Sequence, residues 1–93
     1  MQVKFFAYYR DKDFAGCKEI SMQPVKDLKE LGEVLSLRYG QKFHDEYFDP
    51  TGEEIGERTI IMVNGRRIEF LDGIHTELKD SDTVNIFPVV GGG

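Results

Sequence analysis

One apolar stripe at helical spacing, Val25, Leu28, Leu31, Leu35 and Tyr39, lies between two stretches of strand-like alternation, and this arrangement constrains the fold more than any other feature of the chain. Pro24 is a favourable first-turn residue for that helix, and Gly40 suits the position just past its end. Gly32 within the helix costs about 1 kcal/mol relative to alanine, which predicts a close-packed or exposed side there. With 93 residues the chain has room for one modest core, so a single amphipathic helix has to bury its stripe against a sheet.

The strands of that sheet are read from β-branched and aromatic runs punctuated by turn residues. Val3 to Tyr9 predicts a first strand; the polar run Arg10-Asp11-Lys12-Asp13 and Gly16 then lead to a second from Cys17 to Met22. After the helix, Gln41 to Arg58 carries one clear signal, the turn residues Asp49-Pro50-Thr51-Gly52. Thr59 to Val63 is a third strand, and Asn64-Gly65 is the strongest hairpin signal in the chain, leading to a fourth from Arg66 to Phe70. Asp80-Ser81-Asp82 turns the chain into a last strand, Thr83 to Phe87, closed by Pro88. The order predicts an α+β fold of the β-grasp type, a mixed sheet of about five strands with one main helix on one face. It spans residues 1–88, and residues 89–93 form a flexible Gly-Gly tail.

Because side chains alternate across a strand, turning Val3, Phe5 and Ala7 toward the helix sends Lys4, Phe6 and Tyr8 to the opposite face. In the last strand Val84 and Ile86 point inward, so Asn85 and Phe87 point out. In a β-grasp the first and last strands are neighbours, which places Phe6 beside Phe87, with Ile60 or Met62 nearby. Single outward apolar residues are common on any small protein. Adjacent aromatics on an uncovered face instead suggest a docking surface.

The 17 acidic and 12 basic residues give a formal charge of −5, which argues against nucleic acid and favours a basic partner surface. The single cysteine, Cys17, excludes an internal disulfide framework and fits a reducing, cytoplasmic setting. The N-terminus runs straight into alternation with no signal-peptide pattern, and no apolar run approaches the roughly 20 residues of a membrane span. A soluble protein without membrane partners is expected. His44 and His75 are isolated, and neither they nor Asp45-Glu46 and Glu53-Glu54 have metal-site spacing, so no metal is expected. Cys17 has no neighbour in sequence that would lower its pKa and reads as structural. Arg66 and Arg67, just past the hairpin turn, read as solvated. No nucleophile, acid–base pair or phosphate loop can be assembled, which suits a carrier acted on by other enzymes.

A glycine-rich end by itself usually indicates disorder. Here it follows a specific pattern. The segment Val63-Asn64-Gly65-Arg66-Arg67-Ile68-Glu69-Phe70-Leu71-Asp72-Gly73, then Leu78-Lys79-Asp80-Ser81-Asp82-Thr83-Val84-Asn85-Ile86-Phe87-Pro88-Val89-Val90-Gly91-Gly92-Gly93, resembles the MoaD/ThiS family of ubiquitin-like sulfur carriers. The opening Val3-Lys4-Phe5-Phe6-Ala7-Tyr8-Tyr9-Arg10 is similar to the family's first strand. The chain departs from the pattern at Pro88-Val89, where the family more often has Pro-Pro, and at Gly91, which replaces another residue. The functional pair is therefore Gly92 and Gly93.

The resemblance implies a carrier with no cofactor of its own. A terminal carboxyl with a pKa of about 3.3–3.7 is ionised and a poor electrophile, so it needs activation. The resemblance supplies an E1-like adenylating partner that spends ATP to make an acyl adenylate at Gly93, which a sulfur donor converts to a thiocarboxylate. Molybdopterin synthesis, with the synthase large subunit as second partner, is the leading expectation. A protein modifier joined to lysines through Gly93, or a sulfur carrier for thiazole, cysteine or thionucleotide synthesis, are the alternatives. Glycine lacks a Cβ, so it can thread a narrow channel in backbone conformations other residues avoid. From Val89 through Val90 and Gly91 to Gly93 an extended chain reaches roughly 17 Å at about 3.3–3.6 Å per residue. Phe6, Phe87, Pro88, Val89, Val90 and Gly91 are the expected partner contacts, because ordering the tail costs about 1–2 kcal/mol per residue and a docking face must offset it.

Overall fold

The computed structural model describes residues 1–89. Five strands, β1 (Gln2–Phe5), β2 (Glu19–Ser21), β3 (Thr59–Val63), β4 (Arg66–Arg67) and β5 (Thr83–Pro88), form one mixed sheet in the order β2-β1-β5-β3-β4. The central pair β1 and β5 is parallel and every other pair antiparallel. Two α-helices, α1 (Leu28–Tyr39) and α2 (Gln41–Tyr47), connect β2 to β3. This is the β-grasp arrangement expected from the sequence, with a second, shorter helix added to the main one.

The core lies between sheet and helices. Val3 and Phe5 of β1, Ile61 and Val63 of β3, and Val84 and Ile86 of β5 are buried against Leu28, Leu31 and Leu35 of α1 and Phe43 and Tyr47 of α2. Each such apolar side chain contributes about 1.5–3 kcal/mol on leaving water. Tyr39, Phe43 and Tyr47 extend the helical stripe at intervals of four, so the signal for α2 is present in the sequence as a continuation of α1. Gly40, at φ 104°, breaks the two helices apart where a side chain is disfavoured.

Several boundaries differ from expectation. Helix α1 starts at Leu28, beyond Pro24 and Val25, because Asp27 accepts the backbone N–H of Glu30 at 2.9 Å while Glu30 accepts that of Lys26 at 2.7 Å. That reciprocal cap satisfies donors that Pro24 cannot. The second strand contracts to Glu19–Ser21, and the fourth to Arg66–Arg67, since residues Ile68–Phe70 turn into a 3₁₀ helix that buries Ile68. The first strand stops at Phe5: Ala7 takes φ 50° and Ala7–Arg10 coil into a 3₁₀ turn. This reverses one assignment from alternation, leaving Ala7 exposed, while Tyr9 is buried. Pro88 does not close β5 from outside but is its last residue, paired with Thr59. No helix among the described residues is long and apolar enough to cross a membrane.

Candidate functional site

Strand register brings Phe6 and Phe87 together. Phe5 pairs with Ile86 in the parallel ladder, and the Phe6 N–H donates to Ile86 O at 3.1 Å, so the next side chain on each strand emerges on the face away from the helices. Their rings stack at 4.3 Å between centroids and 13° between planes. Each covers part of the other, and both are half-buried. Ile60 lies opposite Phe87, and Lys4, Asn85 and Met62 form the next row across β1, β5 and β3.

The turn after β1 adds a residue that alternation places elsewhere. With Ala7 in the left-handed region, Arg10 folds back: its Nε donates to Phe5 O at 2.7 Å, and its guanidinium carbon lies 5.2 Å from the Phe6 ring centroid. Arg10 thus adds a cation to the Phe6 ring, which itself stacks on Phe87. Nothing in the polar run Arg10-Asp11-Lys12-Asp13 signals this; it depends on the backbone at Ala7. Tyr8, expected on the same open face, instead donates its hydroxyl to Glu46. Burial, then the Glu46 hydrogen bond and charge, push its phenol up to about 12. Tyr9 shares a hydrogen bond with Thr59 at 2.6 Å, and burial raises its pKa further.

Beyond the aromatic pair, Pro88 is buried and Val89 is exposed. The Val89 N–H donates to Arg58 O at 2.7 Å, so backbone pairing continues to the last described residue. A cavity of about 300 Å³ opens beside Val89, with Ile60, Arg67 and Glu69 among its lining residues. The expected tail contacts Val90 and Gly91 and the expected chemical site, Gly92 and Gly93, lie outside the described residues. Cys17 is half-buried, with its sulfur 3.9 Å from the Tyr39 hydroxyl. His44 pairs with Asp45 at 3.3 Å and His75 with Asp27 at 3.7 Å. Among the described residues no three His, Cys, Asp or Glu side chains converge as metal ligands.

The Asp-x-Asp turn before β5 also has a physical role. The Asp82 carboxylate is buried and accepts from the Lys79 N–H and from Asn64 Nδ2, each at 2.8 Å. Asn64 Oδ1 in turn accepts the Thr83 N–H at 2.9 Å. The hairpin turn is thereby tied to the start of the strand that carries Phe87.

Comparison with known proteins agrees with this architecture. The ThiS family model matches residues 3–93. A curated relative, small archaeal modifier protein 3 of Haloferax volcanii, is 33% identical over 98 aligned positions, covering 100% of this chain and 98% of the relative. The solution structure of small archaeal modifier protein 1 from Methanosarcina acetivorans superposes with a TM-score of 0.82 at 30% identity, covering 99% of this chain and 94% of that one. A Pyrococcus furiosus structure described as a putative molybdopterin converting factor, subunit 1, aligns at 35% identity and a TM-score of 0.68, over 96% and 95% of the two chains. With its sheet order, its hairpin-to-turn clamp and a family match across nearly its whole length, the chain belongs to the ThiS family of ubiquitin-like sulfur carriers and modifiers.

Proposed function

We propose that this protein is a sulfur carrier that acts through Gly93 and is itself non-catalytic. An E1-like enzyme would bind the Phe6–Phe87 face and draw the tail into its active site. There the Gly93 carboxylate attacks the α-phosphorus of ATP, pyrophosphate leaves, and the product is an acyl adenylate. A sulfide-equivalent donor then displaces AMP and leaves a thiocarboxylate. The observation that carries this reading is that Phe87 lies on the open face at the end of β5, and Gly92 and Gly93 follow it within six residues of sequence. Docking the face therefore keeps the partner within a short length of chain of the terminus.

Molybdopterin synthesis is the destination we favour, with the synthase large subunit receiving the sulfur. The similarity to the Pyrococcus furiosus protein described as a molybdopterin converting factor subunit supports it. The full-length similarity to an archaeal modifier protein favours a second reading, in which activated Gly93 forms isopeptide bonds with lysines of other proteins.

Mass spectrometry of the protein purified from its own host tests the shared premise. A terminal sulfur-for-oxygen exchange is expected, and it should vanish when Gly93 is deleted. A host-purified chain that never carries sulfur or an adenylate at Gly93 would refute the carrier reading. Capture experiments then separate the destinations: a pterin-synthase large subunit supports the first, and a Gly93-dependent ladder of lysine conjugates the second.

A further inference from the structure

The net charge of −5 points to a basic partner, but the charge is not spread evenly over the molecule. Asp45, Glu46, Asp49 and Glu57 line one pocket beside α2 against a single cation, Arg58, and Glu30 and Glu33 lie exposed on α1. These groups belong to the helical layer and the loop after it. The open sheet face is different. By register Lys4 shares it with Glu19, and Arg67 shares it with Met62. Arg67 is already neutralised by Glu69 at 2.8 Å.

Arg10 adds a further positive charge to this face. Its Nε is used by Phe5 O and its guanidinium carbon lies 5.2 Å from the Phe6 ring centroid, which holds the exposed side chain in place. None of the ion pairs among the described residues involves it. A guanidinium held in place is pre-organised to take a carboxylate in two parallel hydrogen bonds. The apolar surface beside it supplies the desolvated setting in which such a pair gains strength.

From this asymmetry we infer that the face docks on an acidic, apolar-centred surface of the activating enzyme, with Arg10 meeting a carboxylate there. The inference rests on the carrier reading above and specifies its partner's chemistry. Charge at such a contact governs encounter and specificity, so it should appear in the carrier's KM and leave kcat unchanged.

The test is ATP–pyrophosphate exchange by the E1-like enzyme of the same organism, with the full chain as substrate, at low and high salt. Arg10→Glu should raise the carrier KM about tenfold at low salt, and high salt should narrow the gap. Lys29→Glu makes the same change in net charge on α1, in the opposite layer, and should leave KM within about twofold. Arg10→Lys keeps the charge without the two parallel hydrogen bonds and should fall between the unaltered chain and Arg10→Glu, which separates lost charge from lost folding. If the unaltered chain supports no exchange, the carrier reading falls and this inference with it. If it supports exchange but Arg10→Glu leaves KM unchanged or lowers it, the inference alone is overturned, and the whole-chain charge governs docking instead.

Discussion

At Ala7 the backbone enters a region that non-glycine residues visit at a cost of roughly 1–2 kcal/mol, and the return is the position of Arg10 on Phe6. The rest of the stack is testable pair by pair. A double-mutant cycle through Phe6→Ala and Phe87→Ala should give a coupling of about 0.5–1.5 kcal/mol in urea unfolding, the usual range for an aromatic pair beyond its buried area. Independent, additive losses would mean that the rings merely sit near each other. Gly32 gives a second case. It is buried, and a methyl added there would overlap the rings of Tyr47 and Phe48. Alanine normally stabilises a helix relative to glycine by about 1 kcal/mol. Here overpacking should prevail, and Gly32→Ala should lower stability by about 1–3 kcal/mol by denaturant titration. The sequence marks Gly32 as unusual, but only the arrival of α2 against α1 shows why it is required.

At the scale of elements, the β3–β4 hairpin and the start of β5 behave as one unit. Asn64 takes φ 54° and Gly65 φ 83°, the pair of left-handed residues that a two-residue hairpin needs. The Asn64 side chain also clamps Asp82 and Thr83. Asn64→Gly should keep the turn and lose the clamp, while Asn64→Ala loses both. We therefore expect Asn64→Ala to be the more destabilising, by about 2 kcal/mol in total, because it leaves the buried Asp82 short of a donor and adds backbone strain. Thermal unfolding of the two variants checks the order. For α1, Asp27→Ala removes the cap on Glu30 and should cost about 1 kcal/mol. An unchanged midpoint would show that helix packing alone sets where α1 begins.

For the molecule as a whole, the four tyrosines report on packing. Tyr8, Tyr9, Tyr39 and Tyr47 all have raised pKa values, with burial the leading cause in each. The sign follows directly. A folded-state pKa above that of the unfolded chain contributes stability that is complete below the ordinary tyrosine value of 10 and is lost as the pH rises through the folded value, about 12 for Tyr8. The protein should therefore keep full stability up to about pH 10 and unfold above it, with tyrosinate absorbance rising together with loss of structure. A tyrosine that ionises near pH 10 while circular dichroism stays native would contradict this. Tyr8→Phe should soften the alkaline limb, since it removes one of the groups that must ionise.

Read locally, the chain reveals whatever depends on neighbours a few residues apart. Strand β3, the Asn64-Gly65 turn, the inward residues of α1 and the outward placement of Phe6 and Phe87 all follow from periodicity and turn chemistry, because side-chain direction is set by the local backbone. The carrier motif at the end of the chain is likewise a matter of sequence alone. Where β1 stops is different. Its end is set by Tyr8 meeting Glu46, 38 residues away, and Tyr9 meeting Thr59, 50 residues away. Those contacts exist only once the sheet and α2 have come together, and no local pattern encodes them. The same assembly places the acidic groups of α1 and α2 in the helical layer and Arg10 on the open face. Composition determined the sign of the total charge; tertiary structure decided where on the molecule each charge sits, because charge acts through distance and the fold sets the distances.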